Sequence, residues 1–235
     1  MRPIDKGPVP TDKDGQPIQL KKYQQSRGHL INRLGAYCSY CERNLGGNIA
    51  VEHVKPKSMH PDLKLDWDNF LLACNNCNSI KGNKHVELDQ FLWPDKDNTL
   101  LAFVYASGGL IYVSPTLSPV LRQLAENTIK LTGLDRIPSD ELSENPEMKD
   151  TRWRSRRTAL DKAERSYRHL MKNDTEEMRV QIVDTATSTG FFSIWMMVFQ
   201  HDIDMRQRLF QAFPGTSTDS FNSNYVPINR IGGKI

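Results

Sequence analysis

At 235 residues the chain can hold one full-sized domain, or a small module with a helical companion. Hydrophobic residues make up 38% and charged residues 25%, which excludes a disordered chain, and the longest apolar stretch, residues 191–199, is far shorter than the roughly 18–20 residues that span a bilayer. The net charge of +3 and pI near 8.6 permit nucleic-acid binding without arguing for it, since a basic excess of this size is also ordinary solvated surface.

In chain order, residues 1–10 are polar with no apolar signal core, so the expected location is the cytoplasm, with no membrane contact. Residues 2–17, with Pro8, Pro10 and Gly15, read as an extended arm. Leu20, Tyr23, Leu30, Ile31 and Leu34 predict an amphipathic helix over 19–34, ended by Gly35. A cysteine-bearing core follows, from about residue 36 to 83. The runs 101–105 and 110–113 flank Ser107-Gly108-Gly109 and predict a hairpin. Ser118 as N-cap with Pro119 at the first helical position starts a helix that runs to about Thr132 and closes at Gly133. Residues 135–150 are acid-rich, contain Pro138 and Pro146, and read as a linker or exposed loop. Helices are expected over 148–172, which would align Trp153, Leu160 and Tyr167 with Ala163 and Leu170, over 176–186, and once or twice within 191–213. The tail after Pro214 reads as irregular.

All four cysteines fall in two knuckles, Cys38-x2-Cys41 and Cys74-x2-Cys77, with 32 residues between them. Each such turn offers two thiolates from a tight loop, and two of them make the tetrahedral sulfur set that zinc prefers. Cytosolic thiols stay reduced, so metal is expected here rather than disulfides. A closed four-cysteine set has no open coordination position. It is a folding device rather than a catalytic metal.

Between the knuckles, Ile49-Ala-Val-Glu-His-Val54 reads as a strand ended by Pro56. Glu52 and His53 then point to opposite faces, and share a site only if the strand end bends. Asn69 follows in Asp66-Trp-Asp-Asn-Phe-Leu-Leu-Ala-Cys74, and Asn78 and Lys81 follow Cys77 directly. A Glu-His pair, an Asn before an apolar run, and a C-x2-C-Asn-x2-Lys segment resemble the HNH endonuclease signature of the ββα-metal fold, over about residues 37–84. The resemblance implies a fold with the histidine on the first strand of a hairpin and the third motif residue on the following helix. It implies His53 as general base, Asn69 as the residue that orients it, Glu52 and Asn78 as ligands of a catalytic Mg2+ or Mn2+, and Lys81 on a neighbouring phosphate. Imidazole suits the base because its ordinary pKa lies near neutrality, and oxygen donors suit a hard cation. Position 52 is Glu where many members have Asp, and the third motif position is Asn78 rather than His. His60 and His85 are nearby alternatives.

Residues 151–173 concentrate basic side chains, among them Arg152, Arg154, Arg156 and Arg157, against only Asp161 and Glu164. Arginine forks suit phosphates, and these four are the candidate nucleic-acid contacts, with solvated surface or an acidic partner as the competing reading. The Arg-Pro-Ile arm, the HNH core, the helix entering Leu131-Thr-Gly-Leu-Asp-Arg136 and the helical remainder together resemble the HNH subunit of two-gene anti-phage systems, Septu and its retron-linked relatives. That resemblance implies DNA or RNA as substrate, an ABC/SMC-like ATPase as partner and a hetero-oligomeric assembly. This chain has no G-x4-G-K-[ST] loop of its own. The expected architecture is α+β: an arm and helix over 1–35, a zinc-stapled ββα-metal HNH core over 36–99, and a mainly helical docking or nucleic-acid-contact region over 100–235. The rival readings are a stand-alone restriction or homing-type HNH enzyme, and a zinc-knuckle adaptor that binds without cutting.

Overall fold

The computed structural model describes residues 1–137 and 150–235, and among these it holds two antiparallel hairpins and seven α-helices. Most of the expected acid-rich linker, residues 138–149, lies outside the described residues, as do the first two residues of the helix expected over 148–172. The architecture is α+β. The first hairpin pairs β1 (Ala50–His53) with β2 (Phe70–Ala73), with Glu52 opposite Leu71 and His53 opposite Phe70. Helix α2 (Asn75–Lys81) follows β2 after one residue, and these three elements form the ββα unit. Every residue of β2 is buried, as expected of a short apolar run covered on both faces.

Helix α1 (Ser26–Leu34) packs on this hairpin. It starts later than its apolar pattern predicts, after a 3-10 turn over Tyr23–Gln25. The Gln25 side chain accepts hydrogen bonds from the Lys21 and Lys22 N–H groups at 2.8 and 2.9 Å. That contact satisfies the donors of the incoming chain outside a helix. The expected arm is not free: Met1, Arg2, Ile4 and Lys6 are buried. Arg2 donates to the Leu34 carbonyl (2.7 Å) and Lys6 to the Phe70 carbonyl (2.8 Å), so backbone acceptors inside the fold draw these two cations in.

The second hairpin, β3 (Phe103–Ala106) and β4 (Leu110–Val113), turns through Ser107–Gly109. Gly109 has φ +77°, and a Cβ there would overlap the Trp153 carbonyl. The turn thus lies directly on α4 (Arg152–Lys172). Between them, α3 (Pro119–Thr132) starts with the Ser118 hydroxyl accepting the Leu121 N–H and ends at left-handed Gly133. The remaining helices are α5 (Glu176–Thr189), α6 (Phe192–Val198) and α7 (Ile203–Ala212). The tail is irregular but docked. Asn98 donates to the Ser220 and Ile228 carbonyls, and Ile235 is buried. One hydrophobic core joins Met1 to Ile235 through both hairpins. Among the described residues, no helix is long and apolar enough to cross a membrane.

Candidate active site

The four cysteines meet at the base of the ββα unit. Cys74 is the N-cap of α2, with its sulfur accepting the Cys77 N–H, while the Cys38 sulfur accepts the N–H groups of Cys41 and Cys74. All four sulfurs lie within 4.8 Å of one another and are buried, with Cys41 and Cys74 at 3.7 Å. Zinc–sulfur bonds of about 2.3 Å place tetrahedral sulfurs about 3.8 Å apart. The cluster therefore fits a structural zinc ion that ties the loop before β1 to the start of α2.

One helical turn beyond Cys74, Asn78 faces the cleft that carries the remaining chemistry. A cavity of about 360 Å3 is lined by Glu52, His53 and Asn78, together with Tyr23, Arg27 and Lys57. Glu52 and His53 are the last two residues of β1, the chain bends at residues 54–55, and both residues line this cleft. The His53 ring is held edge-on between Tyr23 (4.9 Å between centroids) and Phe70 (5.2 Å). Its Nε2 lies 3.1 Å from the Lys64 carbonyl oxygen. Donation of an Nε2–H to that carbonyl leaves Nδ1 as the basic nitrogen. Burial lowers the His53 pKa below its ordinary value, and Lys57, Lys81 and Lys64 lower it further against the Lys64 hydrogen bond. The ring is neutral at neutral pH.

Asn69 is buried behind the cleft rather than in it. Its amide donates to the carbonyls of Lys55 (3.0 Å) and Leu63 (3.2 Å), and its oxygen accepts the Lys55 N–H (2.7 Å). It pins both ends of the loop that presents the Lys64 carbonyl to His53. Lys81, expected on a phosphate, is 1% exposed and does not line the cleft. Its ammonium lies 2.7 Å from Glu52 and donates to the His53 carbonyl at 2.7 Å. The phosphate expectation is corrected to a buried charge partner, for at this depth the nearest available counter-charge is Glu52. Burial raises the Glu52 pKa, opposed by Lys81. Only Glu52 Oε1 is engaged by that ion pair, and Glu52 and Asn78 line the cleft as oxygen-bearing side chains of the kind that could hold a hard divalent cation.

The family model for HNH endonucleases matches residues 38–84, which is this ββα unit with both cysteine knuckles. Residues 38–84 are an HNH endonuclease domain. Over 114 residues the chain is 33% identical to the Septu protein PtuB of Bacillus thuringiensis, a match spanning 46% of this chain and 41% of that relative. His60 within the HNH domain and His85 just after it do not line the cleft, and His85 is an exposed partner of Glu87.

Outside the HNH domain, the arginine helix requires a correction. Arg152 and Arg156 are buried and cannot meet nucleic acid in this fold. Arg152 donates to the Cys77 sulfur (3.0 Å) and to the Thr132 and Gly133 carbonyls, and is paired with Asp150. Arg156 donates to the Gly109 and Leu134 carbonyls. Carbonyls at and just past the C-terminus of α3, together with the hairpin-turn carbonyl of Gly109, draw these two cations inward. Arg154 and Arg157 remain exposed. Sequence reasoning also missed Tyr23 and Lys57 as cleft residues. The Lys57 ammonium donates to the Tyr23 hydroxyl at 3.0 Å and lies 4.1 Å from the ring centroid. Tyr23 counted only as an apolar helix position, and no local motif marks it.

Proposed function

We propose that this chain is a metal-dependent endonuclease that hydrolyses phosphodiester bonds of nucleic acid in the cytoplasm. In this reading it is the effector of a two-component anti-phage system, working in a hetero-oligomer with an ABC/SMC-like ATPase. The catalytic half rests above all on one observation: Glu52, His53 and Asn78 line a single cleft in an HNH domain. The system half rests on similarity to the Septu protein PtuB and on the sequence resemblance that extends beyond the HNH core.

His53 Nδ1 takes a proton from a water molecule as the water oxygen bonds to phosphorus. The bond from phosphorus to the leaving sugar oxygen breaks, and solvent protonates that oxygen. Tyr23, Phe70 and the Lys64 carbonyl hold the ring for this transfer, and Asn69 acts through the loop as a positioning residue. Glu52 and Asn78 would hold a Mg2+ or Mn2+ ion, which when bound offsets charge on the scissile phosphate and the leaving oxygen. Lys57 on the cleft rim, with Arg154 and Arg157 farther away, supplies cations for flanking phosphates.

The test is incubation of plasmid DNA and of total RNA with the zinc-loaded protein and Mg2+, with and without the neighbouring-gene ATPase, alongside His53→Ala. Cutting by wild type alone, dependent on the ATPase, is the expected result and identifies the polymer. Cutting without the partner and at a preferred sequence would favour a stand-alone enzyme. Equal products from wild type and His53→Ala would contradict His53 as the base, and no products from either would favour the adaptor.

A further inference from the structure

A second cavity, of about 420 Å3, lies away from the cleft among β3, α6, α7 and the C-terminal tail. Its wall is apolar, with Phe103, Met196 and Met197 inside and Val104 and Val226 at the rim. One cation lines it. Arg206 of α7 is 8% exposed, makes no side-chain hydrogen bond or ion pair among the described residues, and has an Nε that reaches neither solvent nor an acceptor. Neighbouring arginines are placed differently. Arg179 is paired with Asp174, Asp202 and Asp204, and Arg208 with Asp204 and Glu176. The acids of α7 and its N-cap are thus committed to other cations, and the most buried arginine of this helix is left without a counter-charge. A buried, unpaired guanidinium is costly unless something supplies the anion.

The surroundings indicate what that anion is attached to. The volume is at the small end of the range of about 300–1,000 Å3 for enclosed ligand sites. Its rim continues onto an exposed apolar strip, because rim residue Val104 pairs across the hairpin with Tyr112, which is 52% exposed. A free metabolite would leave that strip uncovered, whereas a polypeptide covers both. We propose that this pocket seats an acidic residue of a partner polypeptide, its carboxylate on Arg206 and its apolar neighbours against Phe103, Met196, Met197 and the Val104–Tyr112 strip. The site stands independently of the nuclease reading, and its test involves no cleavage.

The experiment uses the full, zinc-loaded chain with 13C-methyl-labelled methionine. It is titrated with a set of acetylated tripeptide amides Φ-Asp-Φ, where Φ is Leu, Phe or Met, and with the matched Φ-Asn-Φ set. A charge-assisted hydrogen bond predicts about tenfold tighter binding of the Asp set, with shifts at the Met196 and Met197 methyls. Arg206→Gln removes that tenfold difference. Val104→Glu, at the exposed rim, weakens the Asp set more than the Asn set, and serves if Arg206→Gln does not fold. Equal affinity of the two sets, no binding of either, shifts confined to other methionines, or an unchanged preference in the variants would overturn the proposal. So would 3-phenylpropionate binding as tightly as the peptides, which would mark a small-molecule site instead.

Discussion

Helix α2 holds two regions of opposite character within two turns. At its start Cys74 and Cys77 complete a closed, buried sulfur set that needs nothing from solvent. Beside and beyond it, Asn78 lines an open cleft together with Glu52 and His53. The difference separates two jobs. A closed set stabilises the fold and is indifferent to substrate, whereas an open one costs stability and gains reactivity. The ββα unit is small, and the staple at its base adds to the packing it receives from α1 and α3.

The largest effect expected from breaking this pairing is at the staple. Removing zinc with a chelator, or Cys77→Ser, forfeits about 10 kcal/mol of apparent metal-binding energy. Circular dichroism and any cleavage activity should collapse together. Next comes the buried pair between the two regions. Lys81→Met leaves Glu52 without its counter-charge and should lower stability by about 3 kcal/mol in denaturant unfolding. Adding Glu52→Gln should recover part of that loss, and a double variant no better than the single would count against the pair.

A third probe is Glu42, which follows Cys41, does not line the cleft and is buried. Burial by itself would push its pKa up. The Met1 ammonium, the Ser193 N–H and the Tyr105 hydroxyl more than offset this and hold it below its ordinary 4.5. A lowered carboxylate pKa contributes stability above the unfolded value and loses it as pH falls through the folded one. The stability gap between wild type and Glu42→Gln should therefore be full at neutral pH and close below about pH 4.5. A gap that widens on acidification would contradict this. The smallest effect is expected at Tyr23→Phe, which removes one hydrogen bond to Lys57 but keeps the ring on His53. About 1 kcal/mol, or roughly a fivefold loss of cleavage, should appear with no change in melting temperature.

What the sequence discloses follows the range of the interactions. The cysteine cluster and the Ser118–Gly133 helix are legible because metal geometry and capping chemistry act over a few residues, and the motif spacing also anticipates that His53 and Asn78 share one cleft. Arg152 and Arg156 are not, since the carbonyls that draw them inward belong to α3 and to the hairpin turn, about 20 to 47 residues away. A run of arginines on a helix looks the same whether it meets water or orphaned carbonyls. Lys81 misleads for a similar reason: its spacing after Cys77 fits the family pattern, but its depth is set by the packing of α2 against β1. Tyr23 and the docked arm carry no local mark at all, as their partners at His53, Phe70 and Leu34 are met only after folding.

Cys77 and Asn78 are adjacent, so their variants test most directly whether staple and cleft are separate. Asn78→Ala and Cys77→Ser should be compared for zinc content, melting temperature and Mg2+-dependent cleavage of nucleic acid. The account predicts that Asn78→Ala keeps one zinc per chain and the wild-type melting temperature while losing cleavage, and that Cys77→Ser loses all three. Release of zinc by Asn78→Ala, or undiminished cleavage by it, would contradict the account.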